Sequence, residues 1–337
     1  MHVIFLSRSF WTRAAAALPL CPASLLPAAT PLFIISALFT FLGAFTTFPA
    51  AAAGSRPSAA EHPQLPSAYG EIIYRINEES AGQVYIIGIS HRDAESRSNN
   101  DDTVRTQAEI FRIGEWLNSN RQLELLLPEG YFRSDGEAAG QPHPVRGVSS
   151  LSGSRLNNEL LFARLADESR FVNAEMLLLE QFDMHASQVE DRGTYQAVCK
   201  SLDELMRDSC ERLPTVDKLA ELQYLQEIRT ARLLQKIPAA IAYELAQGTI
   251  RNRSAMLTIG LNHIQDIIRY IQENTIRVAV PRSAGSGLAN FQAEPELLRQ
   301  GYGITIIIPR TLADDRPLLR LTNLDRLLLA EEAPPGN

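Results

Sequence analysis

The sequence predicts an α/β domain with a largely parallel central sheet covered by helices. Three observations predict it. Gln83–Ile89, Ala255–Gly260 and Gly303–Pro309 are short, nearly continuous apolar runs, the pattern of strands buried on both faces. Between such runs lie stretches with helical spacing, as in Val104–Asn118, apolar at 104, 108, 111 and 117. Strands alternating with helices in this order specify parallel pairing through helical crossovers.

Composition sets the outer bounds. A chain that is 45% hydrophobic and 21% charged can bury a core and is not a disordered polymer. With 39 acidic against 32 basic residues and a formal charge of -7, it lacks the basic balance of a nucleic-acid binder. Three cysteines without a Cys-x-x-Cys exclude a disulfide scaffold and a zinc ribbon.

The first 53 residues are a different material. Arg8 and Arg13 are their only charges, and no acidic residue precedes Glu61. The most apolar part is the 17-residue run Leu32–Phe48, followed by Pro49 and four alanines, Ala50–Ala53. A basic start, an apolar core and small residues describe a secretory signal cleaved near Ala52 or Ala53. The run is also just long enough for an uncleaved membrane anchor. Both readings keep Arg8 and Arg13 in the cytosol and export the rest, so contact with a membrane is expected only through this segment. The expected organisation is a leader over 1–53, a Pro/Ser/Ala linker over 54–69, one domain over 70–329 and a disordered tail over 330–337. The expected location is periplasmic or secreted.

Within the domain, Glu71–Ile76 alternates like a strand and Gln83–Ile89 is a buried one. Asn100, Asp101, Asp102 and Thr103 offer caps for the helix at Val104–Asn118. Leu123–Pro128 is a strand stopped by its proline, and 131–154, rich in Gly, Pro and Ser, is a long loop or lid. Leu156–Asp167 is helical, Met176–Leu179 fits helix or strand, and Ala186–Val189 is a short strand. A long helical insertion follows over Leu202–Arg212 and Val216–Gln247, with Pro238 kinking or dividing the second part and Gly248 capping it. Ala255–Gly260, Ile276–Val280 and Gly303–Pro309 are strands, and Ile264–Glu273 is a helix. Cys199 and Cys210 are separated by helix-like sequence and are expected as free thiols, since eleven helical residues span about 16 Å.

No phosphate loop, dinucleotide fingerprint, zincin motif or nucleophile elbow occurs. One pattern occurs twice. Gly88-Ile-Ser-His91 and Gly260-Leu-Asn-His263 each follow an apolar strand and precede a helix. Ligands of open α/β sheets bind beyond the carboxyl ends of strands, where the glycines permit sharp turns and the histidines can converge. Glu129 follows a third strand, and Glu190-Asp191-Arg192 follows the short strand at Ala186. Two histidines with one carboxylate suit Zn, Mn, Fe or Co with positions open for water. His91, Glu129 and His263 are therefore candidate metal ligands, and Glu190 and Asp191 candidate catalytic carboxylates that orient or deprotonate the bound water. Taken singly, each of these residues also fits a structural histidine, a solvated glutamate or an ion-paired surface turn.

Together these residues resemble the signature of the TraB/TIKI superfamily, with its ChaN-like and erythromycin-esterase-like relatives: paired Gly-x-x-His motifs, here Gly88 to His91 and Gly260 to His263, with an intervening glutamate, Glu129. The resemblance spans about Gly70 to Pro309 and implies an α/β fold with both motifs around one pocket. It implies metal-dependent peptide cleavage outside the cell, as in TIKI members, or haem binding, as in ChaN-like members. The chain departs from TraB-type members in lacking several membrane helices near the C-terminus. The leading expectation is an exported metal-dependent hydrolase of peptides or small molecules. The alternatives are a non-catalytic haem-binding protein and a metal-free esterase-like enzyme using His and Glu as acid and base.

Overall fold

The computed structural model describes residues 63–90, 100–133, 156–169, 172–209, 216–281, 288–325 and 327. The leader, most of the linker, His91, Cys210, nearly all of the loop expected at 131–154 and the tail lie outside these residues. The chain divides into two units, Met1–Ala16 with Leu65–Asn337, and Ala17–Gln64. The architecture below belongs to the first.

Its elements run β1 (Gly70–Ile76), β2 (Gln83–Ile89), α1 (Asp101–Arg121), β3 (Leu125–Pro128), α2 (Asn158–Ala166), α3 (Ala174–Gln181), β4 (His185–Ala186), α4 (Arg192–Ser209), α5 (Val216–Gln247), β5 (Ser254–Gly260), α6 (Leu261–Gln272), β6 (Ile276–Val278), β7 (Phe291–Ala293), α7 (Glu296–Arg299), β8 (Gly303–Pro309), α8 (Arg310–Asp314) and α9 (Arg316–Leu321). Six strands form one sheet in the order β1-β8-β2-β5-β3-β4. Every pairing in it is parallel except β1 with β8. The expected α/β class and mostly parallel sheet flanked by helices are therefore present. The strand expected at Ile276–Val280 does not join this sheet: β6 pairs with β7 in a separate antiparallel ribbon.

The apolar runs work as buried strands because successive side chains feed two different cores. Val84, Ile86, Leu125, Leu127, Leu257, Ile259, Ile304 and Ile306 pack with α5 and α6 on one face. Tyr85, Ile87, Leu126, Met256 and Ile307 pack with α1, α2 and α3 on the other. This is the period-two alternation of a strand applied to a sheet covered on both sides. Each fully buried aliphatic side chain contributes about 1.5–3 kcal/mol.

Helix α1 starts where Asn100 accepts a hydrogen bond from the Thr103 N–H at 2.7 Å, with Asp101 and Asp102 in the first turn. The ambiguous run Met176–Leu179 is helical, capped by Asn173. Helix α4 begins at Arg192, ten residues before the expected start. Its first turn is capped by Asp191, which accepts from the Thr194 N–H at 3.0 Å. Helix α5 runs unbroken through Pro238, so the proline does not divide it. Leu233, Leu234, Ile237, Pro238 and Ile241 are all buried, and this packing outweighs the missing backbone bond. Helices α4 and α5 pack on each other through Val198, Leu202, Leu205 and Leu222. Among the described residues no helix is long and apolar enough to cross a membrane.

Candidate functional site

The site is built where β3 and β5 end side by side. Pro128 closes β3, yet the pairing runs one residue further, with the Glu129 N–H donating to the Thr258 carbonyl at 3.0 Å. Gly130 then turns the chain away at φ +73°, a left-handed conformation that glycine adopts without strain. Glu129 is thus left facing the end of β5, and its Oε2 accepts a hydrogen bond from the Gly260 N–H at 2.6 Å. Gly260 itself has φ -55° and needs no special conformation; it is the last residue of β5 and the N-cap of α6. Because α6 starts at once, His263 falls in its first turn and is buried.

Two residues of α5 complete the cluster. The Arg229 guanidinium donates from Nε to Glu190 Oε2 at 3.0 Å and from Nη2 to Glu190 Oε1 at 2.9 Å. The same Nη2 lies 2.8 Å from Glu129 Oε1. Next to it, the Thr230 hydroxyl donates to the Gln226 carbonyl at 2.9 Å and meets His263 Nδ1 at 2.6 Å. A hydroxyl has one proton, and a carbonyl can only accept. With that proton on Gln226, the Thr230 oxygen accepts from Nδ1–H and the ring's lone pair is on Nε2, the tautomer the proposed function uses. His263 Nε2 lies 3.6 Å from Glu129 Oε1.

The cluster is dry. The side chains of Glu190, Glu129, Arg229 and His263 are 0%, 6%, 9% and 10% exposed, so charge here is only weakly screened. Burial works against the Arg229 charge, but Glu129 and Glu190 outweigh it and hold the guanidinium firmly protonated. Burial pushes the Glu190 carboxyl up; Arg229 pulls it down, and the nearby Glu129 charge adds to the rise. The Arg229 Cζ sits 5.0 Å above the Tyr195 ring, a cation–π contact from the first turn of α4. Burial and the neighbouring Cys199 thiol push the Tyr195 hydroxyl up to about 12. Cys199 is a free thiol, as expected.

Of the residues singled out in the sequence, Glu129, Glu190, Gly260 and His263 are brought together. Glu190 and Asp191 take different partners. Asp191 caps α4 and pairs with Lys236 at 3.1 Å and Arg232 at 3.4 Å on the helix surface. Gly88 is a packing position: a Cβ there would stand 2.6 Å from Ile308 Cδ1 and 2.7 Å from Leu261 Cδ2, so its smallness lets the start of α6 sit against β2. His91 lies outside the described residues. Arg229, Thr230 and Tyr195 were not expected. The available signal was a charge at 229 on the apolar stripe formed by Leu222, Leu233 and Ile237.

The donor set can be compared with the needs of a metal. A catalytic zinc-type site takes three protein ligands. Among the described residues no three His, Cys, Asp or Glu side chains are grouped to hold an ion. Both Glu190 oxygens are engaged by Arg229, and Glu129 is shared between Arg229 and the Gly260 N–H. Glu129 and His263 are the members of the expected ligand set among the described residues; His91, the third, lies outside them. No family model, curated protein or solved structure matches the chain.

Proposed function

We propose that this domain is a hydrolase of an ester or amide bond, working by acid–base chemistry at His263 without routing the reaction through a metal. The observation that carries this reading is the pair of contacts on the His263 ring: Thr230 at Nδ1 and Glu129 3.6 Å from Nε2. Nε2 takes a proton from the attacking water as the new C–O bond forms. The imidazolium produced is stabilised by the Glu129 carboxylate, then gives the proton to the leaving oxygen or nitrogen as the scissile bond breaks. Arg229 and the Gly260 N–H hold Glu129 in place, and Glu190 holds Arg229; both are positioning residues.

The test uses the full chain with nitrophenyl acetate and a chromogenic peptide, with and without excess chelator. The expected result is chelator-resistant turnover that falls about 10²–10⁴-fold in His263→Ala while the melting temperature holds. Activity abolished by chelator and restored by Zn, Mn or Co overturns the metal-free step in favour of the metal-dependent hydrolase. Undiminished activity in His263→Ala overturns the role of the histidine.

A further inference from the structure

A cleft of about 170 Å³ lies between α5 and α6, with His263 in its wall. Its other lining residues are Gln223, Gln226, Glu227, Asn262, Gln265 and Asp266. Not one is apolar, so the cleft offers nothing to a fatty acyl chain or an aromatic leaving group. Four of them are primary amides, each both donor and acceptor. The two carboxylates are not bare charges waiting for a cation. Arg269 lies 2.7 Å from Asp266 and 3.8 Å from Glu227, and Gln223 donates to Glu227 at 3.2 Å. Burial, followed by the Asp266 charge, pushes the Glu227 carboxyl up, and burial does the same for Asp266.

A ligand for this wall must donate to carboxylates and accept from amides within a few ångströms, while carrying no charge. Adjacent hydroxyl groups on a ring do this: each donates once and accepts twice. Peptide backbone offers one donor and one acceptor per residue, spread over more than 3 Å of chain. We infer that the α5–α6 cleft, with His263 in its wall, is the subsite for a hydroxyl-rich, sugar-like portion of the substrate. This deepens the hydrolase reading and rests on it for the cleavage step, but not for the binding. Asn262 and Gln265 are exposed side chains on α6, outside the buried cluster, and can be truncated without disturbing it.

The experiment compares the acetate ester of a methyl glycoside with phenyl acetate as substrates of the full chain, and follows binding of the unesterified methyl glycoside by saturation-transfer NMR. The expected result is a KM about tenfold lower for the sugar ester. Asn262→Ala and Gln265→Ala should each raise that KM about five- to tenfold, with kcat within about twofold and phenyl acetate unaffected. Equal KM values for the two esters, or variants that shift both alike, overturn the subsite. If neither ester is cleaved, the hydrolase reading fails and the NMR decides the subsite alone. Saturation transfer lost in both variants upholds it, and no transfer from the unaltered chain to the glycoside overturns it.

Discussion

Arg229 grips the Glu190 carboxylate with two parallel hydrogen bonds, Nε to Oε2 at 3.0 Å and Nη2 to Oε1 at 2.9 Å. The planar fork matches the carboxylate edge, which a lysine cannot do. The residues come from α5 and from the segment that enters α4, so the pair ties α5 to the segment between β4 and α4. Through Glu129 it extends to the turn that carries His263.

Glu190→Ala removes one partner of this pair and leaves a buried guanidinium with Glu129 as its remaining counter-charge among the contacts described. Breaking such pairs costs about 3–5 kcal/mol. Urea unfolding of Glu190→Ala is expected to show a midpoint lowered by a loss of that size, with Glu190→Gln less affected because its amide oxygen still accepts from Arg229. A loss below about 1 kcal/mol for Glu190→Ala would show that the pair adds nothing net.

Thr230→Val keeps the shape of the side chain and removes the hydroxyl that meets His263 Nδ1. The ring then loses the contact that fixes its tautomer. A lost buried hydrogen bond of about 1–3 kcal/mol corresponds to about a ten- to hundredfold fall in kcat. Thr230→Ser is expected to restore most of it. Nitrogen NMR of His263 provides the readout that a merely structural role would not move: a single Nδ1–H tautomer in the parent chain and in Thr230→Ser, and a mixture in Thr230→Val.

The sheet was readable because its strands are apolar on both faces, and only burial on both sides tolerates runs such as Ala255–Gly260. The site was half readable. Glu129 and His263 stand directly beyond strand ends, where chain direction alone suggests a function. Arg229 lies deep inside a long helix, and its partners are about 40 and 100 residues earlier in the chain. No local pattern announces a charge pairing over that distance. The start of α4 was hidden for a related reason: Gly193 and Thr194 are poor helix residues, and the Asp191 cap that offsets them reads equally well as a turn. Pro238 does not divide α5, because tertiary burial of Leu234, Ile237 and Ile241 overrides a local penalty.

Asp191 offers a pH test that leaves the buried cluster alone. The Thr194 backbone N–H, opposed by some burial and helped by Lys236, holds its carboxyl at about 2, below its ordinary 3.8. A carboxylate lowered on folding contributes stability above its unfolded pKa and loses it as pH falls through the folded value. The stability difference between the parent chain and Asp191→Ala is therefore expected to be constant above about pH 4, near 1 kcal/mol as for other N-caps, and to shrink toward pH 2. Turnover at neutral pH should stay within about twofold of the parent. A large loss of activity in a stable Asp191→Ala would instead return this residue to the catalytic set.

The contact of Gly88 with Leu261 predicts a coupling between the two glycine-containing motifs. A methyl group at 88 would overlap Leu261 Cδ2 and Ile308 Cδ1, at 2.7 and 2.6 Å. Both are ends of flexible side chains, so the backbone survives and the strain is of the overpacking kind, about 1–3 kcal/mol. Leu261 is only two residues before His263, so the shift needed to relieve the overlap passes into the first turn of α6. Gly88→Ala is expected to lower kcat as well as stability. Leu261→Ala alone leaves a cavity and costs about 2–5 kcal/mol. In the double variant the new methyl enters part of that cavity, and the combined loss should fall short of the sum by about 1 kcal/mol or more. Additive losses would show that Gly88 and Leu261 do not constrain each other, and that β2 does not set where α6 begins.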